Sequence, residues 1–420
     1  MKKLVSMLLA VAMLFCFAGC GNKENGGNDS ALTKAPIDEV VLKADYTIPE
    51  NFKIGFICLH DEKSTYDLNF INAAKRVQEV AGLSDEQVII KTNIPEGNEC
   101  YDAAADLVGQ GCSIIFANSF GHEDFMIKAA KKYPEVQFCH ATGTKAHTEG
   151  VANYHNAFAS IYEGRYLAGV AAGLKLNALI EEGKFEAKDA KIGYVGAFTY
   201  AEVISGYTSF YLGAKSVCPT VTMDVQFTGS WYDATAEKNA AEALIAKGAK
   251  LISQHADSMG APSTCEASSI PNVSYNGSTY ESCPETFIVS SAINWTPYYN
   301  YIIKCVATGE AIKADWCGGI AEGSVVLTGI NTNAAAEGTE AKIKEVVGKL
   351  KDGSVKVFDT DTFTVGGKKL DSYKADVDTD KDYAKDTEAI ADGYFHESEK
   401  RSAPYFDLRI DGITLLNEKY

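Results

Sequence analysis

Aromatic and polar side chains concentrate where the strand-like apolar runs of this sequence end. Aromatic rings offer flat faces on which a planar molecule can stack, and amide, hydroxyl and carboxylate groups can hydrogen-bond to its edge. Such a set suits a planar, nitrogen-rich heterocycle, and it suits a sugar nearly as well. The candidate ligand-binding residues are His60, Tyr66, Asn69, Asn118, Ser119, Phe120, Phe198, Trp231, Tyr232, Asp233, His255, Asp257 and Trp295.

Individual members of this set also have structural alternatives. Phe198 could be a core residue, and His255 could be a hydrogen-bonded histidine at a strand end. Asp233 stands where a helix N-cap is expected, because its carboxylate can accept bonds from the first free N–H groups of the following helix. Trp231 is the strongest single candidate, since it adjoins Tyr232 and this capped helix.

The sequence carries none of the motifs that mark the common enzyme and cofactor sites. A nucleophile elbow, a Walker loop, HExxH and GxGxxG are all missing, and no two histidines have helical metal-ligand spacing beside a carboxylate. The acidic run 376–392 has Lys381 and Thr387 where an EF-hand loop requires glycine and glutamate. We therefore expect a binding protein rather than an enzyme, with no catalytic residues, no metal and no cofactor.

Composition and the first residues indicate where such a protein works. The formal net charge of −17 over 420 residues disfavours nucleic acid or an anionic membrane surface as a partner. Residues 1–20 resemble a bacterial lipoprotein signal peptide, with two lysines, an apolar run too short to span a bilayer, and Ala18-Gly19-Cys20 at the end. This pattern predicts lipidation of Cys20 and anchoring to the cell membrane on its extracytoplasmic face. An ordinary secretory signal is the alternative.

The elements that must position the candidate residues alternate regularly along the chain. Strand-like runs are separated by helical patterns of about ten or more residues, which predicts parallel sheets with right-handed crossovers. The pattern restarts at residue 191, where KIGYVGA echoes KIGFIC at 53–58, and this indicates a second lobe. Ligands of open α/β sheets bind at the carboxyl ends of the strands, so the candidate residues should meet there. Strands are predicted at 52–59, 88–91, 113–117, 136–140, 151–158, 191–197, 221–227, 250–253, 287–291 and 355–360.

Two other stretches have simple physical interpretations. Residues 21–47 begin with a polar, Gly- and Asn-rich run that cannot bury itself, so we assign a flexible tether to them. The predicted helix at 160–174 is crowded with alanine and glycine, which indicates tight packing against a sheet rather than chemistry.

Several segments together resemble one known family. They include the lipoprotein-like start, KIGFICLHDEKSTYDLNF, IIFANSFGHEDF, NYHNAFASIYEGRYLAGVAAGL, GSWYDATAEKNAAEALIAKGAKLISQHADS and INWTPYY. The chain is similar to the basic membrane protein family, which is related to purine nucleoside receptor lipoproteins. The resemblance implies a type I periplasmic-binding-protein fold of the α/β class, with two parallel-sheet lobes joined by a hinge. It also implies a purine nucleobase or nucleoside as the ligand, delivered to the permease and ATPase subunits of an ABC importer.

The resemblance extends to particular residues. In the family the purine base is stacked between aromatic rings; Trp231 matches one of these positions, and Tyr66 or Phe70 could supply the other. Asparagines, Asn276 and Asn294, stand roughly where nucleoside receptors carry the charged residues that hold the ribose. The resemblance therefore favours a free nucleobase without excluding a nucleoside.

The domain boundaries follow from the restart of the pattern and from the resemblance. We assign residues 48–160 plus about 292–330 to an N-terminal lobe and residues 161–291 to a C-terminal lobe. Residues 331–420 form a C-terminal extension that we assign to neither lobe. A sensory receptor of the same fold is an alternative function, and a nucleoside-acting hydrolase is another.

Overall fold

The computed structural model describes residues 31–377 and 384–418. The first part of the chain contains β1 (Ile54–Ile57), α1 (Thr65–Ala81), β2 (Val88–Lys91), α2 (Asn98–Gly109), β3 (Ile114–Ala117), α3 (Glu123–Lys132), β4 (Gln137–Ala141), α4 (Ala146–Glu149), β5 (Tyr154–Ala159) and α5 (Ile161–Glu181). The middle part contains β6 (Lys191–Gly196), α6 (Ala201–Val217), β7 (Thr222–Phe227), α7 (Ala234–Ala246), β8 (Leu251–His255), α8 (Gly260–Ser268), β9 (Asn272–Tyr275) and β10 (Phe287–Ile293). The last part contains α9 (Thr296–Thr308), β11 (Asp315–Gly318), β12 (Val325–Leu327), α10 (Thr339–Lys351), β13 (Lys374–Ala375), β14 (Thr387–Glu388), β15 (Ile390–Ala391), β16 (Tyr394–Phe395) and β17 (Ile413–Leu415).

Most of the strands form two large sheets. The first has the order β11-β5-β4-β3-β1-β2, and all of its neighbouring strands are parallel. The second has the order β12-β10-β9-β8-β6-β7-β17 and is parallel except where β12 pairs with β10. Continuous apolar runs such as IGFI in β1 and IIFA in β3 are buried throughout, because helices cover both faces of a parallel sheet. The predicted α/β architecture with parallel sheets is confirmed.

The chain passes between the two sheets three times, from β5 to β6, from β10 to β11 and from β11 to β12. These connections form the hinge of the two-lobed fold. Because the strands within each sheet run parallel, their carboxyl ends lie along one edge, where loops from both sheets line a common cavity.

The structure tests only part of the predictions made for the N-terminal signal segment and tether. Residues 1–30, which include the predicted signal segment, Cys20 and the start of the predicted tether, lie outside the described residues. Residues 31–47 are not a free tether, because their backbone and side chains have partners on the folded body. Thr33 N–H donates to the Ile330 carbonyl at 2.9 Å, and the Tyr46 hydroxyl donates to Asn300 at 2.6 Å. Over residues 31–377 and 384–418, none of the helices is long and apolar enough to cross a membrane.

Element boundaries differ from prediction mainly where elements are short. The strand predicted at 355–360 is a turn, in which Asp359 makes an isolated bridge to Tyr394. Its apolar residues, Val357 and Phe358, are buried in the core rather than paired in a sheet. Strands β9 (NVSY) and β11 (DWCG) escaped prediction because neither is a continuous apolar run, and β12 spans only three residues.

Helices α5 and α6 cross with their backbones in contact. A Cβ atom on Gly169 would lie 2.0 Å from the Phe210 carbonyl oxygen, and one on Gly213 would lie 2.0 Å from the Tyr166 carbonyl oxygen. A methyl group cannot fit at such distances, so both positions require glycine. The stretch rich in alanine and glycine is therefore packed tightly, with α6 as a partner in addition to the sheet.

Gly169→Ala should destabilise the fold by about 1–3 kcal/mol, because the added methyl group must push the two helices apart. Gly348 in α10 is a matched control, since a Cβ atom there meets nothing within 4 Å. Gly348→Ala should be neutral or slightly stabilising, as alanine is the better helix former. Urea unfolding measures both effects, and equal midpoints for the two variants would contradict the tight crossing.

Candidate ligand-binding cleft

A cavity of about 340 Å³ lies between the carboxyl ends of the two sheets. Loops after β1, β3 and β4 form one side, and loops after β6, β7 and β8 form the other. The volume lies near the lower end of the range for small-molecule sites, about 300–1,000 Å³. Seven of the candidate residues predicted from the sequence line it: His60, Tyr66, Ser119, Phe120, Trp231, His255 and Asp257.

Aromatic rings from both sides meet at this cavity. Phe120, which follows β3, stacks on Tyr200, which precedes α6, with ring centroids 5.1 Å apart. Tyr200 also stacks on Phe198 at 5.2 Å, and Phe198 meets Trp231 in an edge contact at 4.9 Å. These rings come from the loops after β3, β6 and β7, and together they hold the Trp231 indole at the cavity wall.

Tyr66, in the first turn of α1, contributes a ring from the first lobe. Its hydroxyl donates to the Asn118 carbonyl at 2.7 Å, and its ring packs edge-on against Phe70 at 4.8 Å. Phe70 itself is buried and stacks on Trp295 at 4.6 Å. Of the two residues considered as partners for Trp231, it is therefore Tyr66 that lines the cavity.

Asp67 lines the cavity beside Tyr66 and is held by an unusually complete set of donors. Its carboxylate accepts the His60 backbone N–H at 3.1 Å, the Asn118 side-chain amide at 2.7 Å and the Ser64 hydroxyl at 2.7 Å. Burial acts to raise the pKa of Asp67, but the hydrogen bonds together outweigh it and hold the pKa below its ordinary value. Asp67 is therefore a fixed negative charge in the wall.

Sequence reasoning missed Asp67 because its local pattern has a structural explanation. Ser64 and Asp67 have the spacing of a helix N-terminus, and the Ser64 hydroxyl does accept the Asp67 backbone N–H at 3.1 Å. The signal that could have identified it is its position next to Tyr66, in the first turn of the helix that follows β1.

Asp257, at the end of β8, is the opposing carboxyl group. Burial raises its pKa well above the ordinary value, and the nearby charges of Asp67, Glu237 and Glu202 raise it further. Its backbone N–H donates to the Trp231 carbonyl at 2.9 Å, so the loops after β7 and β8 are tied together. The cavity wall therefore holds two carboxyl groups whose pKa values are shifted in opposite directions.

A chain of hydrogen bonds orients a third carboxylate, Glu202. The buried Arg165 guanidinium donates to the Tyr194 hydroxyl at 2.9 Å, and this hydroxyl lies 3.3 Å from His255 Nδ1. His255 Nε2 lies 2.7 Å from a Glu202 carboxylate oxygen. If Tyr194 donates to Nδ1, then Nε2 carries the proton and donates to Glu202. His255 is thus both a cavity-lining residue and a hydrogen-bonded histidine at a strand end.

Contacts across the cleft show that the two lobes are closed on each other. Asp257, from the second lobe, accepts at its backbone carbonyl the Thr65 N–H of the first lobe at 3.2 Å. The Asn69 side-chain amide donates to Asn276 at 3.3 Å. The stack of Phe120 on Tyr200 is a third contact between the lobes. Loops of the first lobe therefore touch loops of the second lobe around the cavity.

Three predicted residues support the cleft without lining the cavity. The buried Asn118 amide fixes Asp67, and its oxygen accepts the Leu59 N–H at 3.1 Å. Asn69 forms the link across the cleft, and Phe198 supports Trp231 and Tyr200. Each acts on the cavity through a neighbour.

The remaining three lie elsewhere. Tyr232 packs against the His60 ring with centroids 5.5 Å apart. Asp233 is the N-cap of α7, and its carboxylate accepts the N–H groups of Thr235 and Ala236 at 3.0 and 2.9 Å. Trp295 is only 1% exposed and packs within the core of the first lobe. Asp233 therefore caps a helix and Trp295 packs in the core, and neither residue lines the cavity.

Backbone strain marks the same region. Thr142, which lines the cavity after β4, has a φ of 67°, and Asn276 after β9 has a φ of 65°. A β-branched residue rarely adopts the left-handed conformation, and such residues cluster at binding sites where the surrounding structure enforces them. Sequence patterns carry no signal for this feature.

One wall of the cavity comes from a part of the chain for which the sequence suggested no role. After α10, the C-terminal segment (residues 352–377 and 384–418) contributes the lining residues Asp376, Lys385, Arg401, Ala403, Pro404, Tyr405 and Asp407. Its strands are two or three residues long, so it shows neither helical nor strand periodicity. Only the folded chain brings it to the cleft.

The assembled cavity can bind a small molecule by stacking and by accepting hydrogen bonds. Trp231 and Tyr66 provide rings, and Asp67, Glu202 and Asp257 provide carboxyl oxygens for N–H donors. In the described part of the chain, no group of three or more His, Cys, Asp or Glu side chains could hold a metal ion. The geometry is that of a receptor for a polar, flat ligand.

Comparison with known proteins agrees with this description. Residues 64–360 match the family described as ABC transporter substrate-binding protein PnrA-like. A purine-binding protein of Brucella abortus is 32% identical over 332 residues, which are 77% of this chain and 89% of that protein. A putative ABC transporter glucose-binding protein of Haloferax volcanii is 31% identical over 224 residues, 53% of this chain and 54% of that protein.

A solved structure supports the fold. The solute-binding protein of an ABC transporter system from Conexibacter woesei superposes with a TM-score of 0.59 at 17% identity, over 73% of this chain and 98% of that one. The fold is the type I periplasmic-binding-protein fold predicted from the sequence. With the family match running from α1 through α10, the chain belongs to the PnrA-like family of ABC transporter substrate-binding proteins.

Proposed function

We propose that this protein binds a purine nucleobase or nucleoside in the cleft and delivers it to an ABC importer. The observation that carries the proposal is one cavity lined by Tyr66 from the first lobe, by Trp231 from the second, and by the carboxyl groups of Asp67, Glu202 and Asp257. The name of the Brucella relative, a purine-binding protein, supports the same ligand class.

The chemistry of the cavity favours a purine over a sugar. Purines carry N–H donors on the edge of a flat ring, so one molecule can stack on an aromatic face and donate to carboxylates at the same time. Sugars can also pack on rings, and the Haloferax relative is named as glucose-binding. Nucleotides should bind poorly, because the cavity lining holds five Asp and Glu side chains against two cations, Lys385 and Arg401.

Closure of the two lobes about the hinge can explain how the protein delivers its ligand to an importer. The ligand contacts both lobes, so it favours the closed form by the free energy of the contacts that an open cleft cannot make. We propose that the permease and ATPase subunits of an importer recognise this closed form and release the ligand unaltered. The chain acts here as a binding protein with no catalytic step.

The protein works outside the cytoplasm, as substrate-binding proteins of ABC importers do. We further propose that it is held at the membrane by lipid on Cys20. The sequence of residues 1–20 supports this proposal. Mass spectrometry of the mature protein tests it, since the expected N-terminal peptide begins at a lipid-modified Cys20 and an unmodified one would contradict the anchor.

We also propose that the two lobes correspond to the two sheets. The strands β1 to β5 with β11 would form the first lobe, and β6 to β10 with β12 and β17 would form the second. This assignment supports boundaries near 160 and 292 but places Val325–Leu327 with the second lobe, because β12 pairs with β10.

The ligand is identified by extracting purified protein with organic solvent and analysing the extract by mass spectrometry. Isothermal titration calorimetry then compares adenine, adenosine, guanosine, glucose and AMP. We expect a purine in the extract, tight binding of at least one base or nucleoside, and weak binding of glucose and AMP. Tight binding of glucose alone would contradict the purine ligand and indicate a sugar. Release of free base from a nucleoside would indicate a hydrolase.

A further inference from the structure

The cavity extends beyond the part of the chain that matches the family. The match ends at residue 360, yet Lys385, Arg401, Tyr405 and Asp407 of the C-terminal segment line the same cavity as Trp231. These residues add charged and hydroxyl groups to a cavity whose other walls carry rings and carboxylates. The two parts of the lining are therefore chemically different.

The C-terminal segment is fixed to both lobes, so its contribution to the cavity is a built wall. In the first lobe, the Ser402 N–H donates to Asp315 of β11 at 2.7 Å. In the second lobe, β17 pairs in parallel with β7, and the Arg409 guanidinium donates to the Tyr207 hydroxyl at 3.0 Å. The anchoring on both sides leaves the wall in a defined position over the cleft.

An aromatic core inside the segment stabilises it further. Phe358 and Phe406 stack with centroids 4.3 Å apart, and Phe395 packs edge-on against Phe406 at 4.8 Å. Phe358 also contacts Tyr162 at the start of α5, at 5.3 Å. The buried rings hold the backbone from which the lining residues project.

At the cavity wall, Lys385, Asp407 and Tyr373 form one hydrogen-bonded group. The Lys385 ammonium pairs with the Asp407 carboxylate and donates to the Tyr373 hydroxyl at 2.8 Å. The Tyr373 hydroxyl donates to the other Asp407 oxygen at 2.5 Å. The group thus presents an ammonium donor beside carboxylate acceptors. A ligand hydroxyl, which can donate and accept at once, matches this pair better than an aromatic ring does.

We propose that the C-terminal segment forms a second subsite, in which Lys385 and Asp407 bind the hydroxyl-bearing sugar of a nucleoside while the base lies against Trp231. This inference rests on the proposed purine function and makes it specific. It assigns the nucleoside as the preferred ligand and Lys385 and Asp407 as specificity-determining residues.

Calorimetry with adenosine and adenine tests the subsite on the full chain. In Lys385→Met, the affinity for adenosine should fall about tenfold, since hydrogen bonds to charged groups contribute about 1.5–3 kcal/mol. The affinity for adenine should change less than about twofold, because in this arrangement the base lies against Trp231 and makes no hydrogen bond to Lys385. Lys385→Arg keeps a charged donor and should restore most of the adenosine affinity.

Lys369→Met is the matched control. Lys369 lies in the same segment and pairs with Asp361 on the exposed surface, away from the cavity lining. We expect it to leave the affinities for both ligands unchanged, and thermal unfolding shows whether either variant loses its fold.

The outcomes separate this inference from the purine proposal. Unchanged adenosine affinity in Lys385→Met, or equal losses for adenosine and adenine, would overturn the subsite while leaving purine binding intact. Wild-type protein that binds adenine more tightly than adenosine would overturn it as well. Wild-type protein that binds no purine at all would overturn the proposed function, and the subsite with it.

Discussion

Trp231→Ala lowers purine affinity by about 1–3 kcal/mol, the contribution of one stacked base. The indole is placed at the cavity wall by its edge contact with Phe198, so its removal takes away a stacking surface and leaves the ring cluster behind it in place. Titration calorimetry with adenine or adenosine measures the loss. Trp231→Phe keeps a flat ring and should retain most of the affinity.

Trp316 provides the matched control for this substitution. It is partly buried like Trp231, but it packs against Tyr298 and Tyr301 and does not line the cavity. Trp316→Ala should leave purine affinity unchanged even if it lowers the unfolding temperature. Equal affinities for Trp231→Ala and wild type would show that Trp231 does not contact the ligand. The proposal that the base stacks on this indole would then be wrong.

Asp257→Asn is expected to reduce purine affinity by about 100-fold, near the upper end of the contribution of hydrogen bonds to a charged group. The change replaces an acceptor oxygen by an N–H₂ donor, which would then face the N–H groups of the ligand. Asp233→Asn is the control, because Asp233 lies in the preceding loop and caps α7, a role that asparagine fills equally well. Calorimetry should find wild-type affinity in this control.

The pH dependence of binding provides an independent measurement on Asp257. Burial and neighbouring carboxylates raise the pKa of this group well above its ordinary value, which favours its protonated form. A ligand N–H that bonds to the carboxylate favours the ionised form, and binding therefore releases a proton. Affinity should rise with pH up to the pKa of the empty site and level off above it.

Proton release is measured by calorimetry in buffers with different enthalpies of ionisation. Wild-type protein should release a proton on binding, and Asp257→Asn should release none. A pH-independent affinity in wild type would show that Asp257 stays protonated and does not accept from the ligand.

These predictions depend on residues whose surroundings the sequence describes only in part. Trp231, Asp257 and Tyr66 were predicted for the site because each directly follows a strand or begins the next helix. The structure places all three at the cavity. Trp295 satisfies the same rule and is buried in the core, since it caps α9 where that helix packs on the first lobe. The rule finds the edge of the sheet at which the cavity lies but does not decide which side chains line the cavity.

Supporting residues were harder to predict from the sequence. Arg165 lies in α5, far along the chain from Tyr194 and His255, and the chain of hydrogen bonds to Glu202 exists only when helix and sheet are packed. Glu202 itself occupies the first turn of α6, where an acidic residue is expected for the helix macrodipole and gives no functional signal.

The sequence by itself determined the alternation of strands and helices, the capped helix after Trp231 and the edge of the sheets at which the cavity lies. Those features arise from periodicity and capping, which act between residues a few positions apart. Only the tertiary structure decided that Tyr66 rather than Phe70 lines the cavity, and that Lys385 and Asp407 of the C-terminal segment close it. These arrangements depend on packing between distant segments, and packing is set by the shapes of both partners rather than by the pattern of either one.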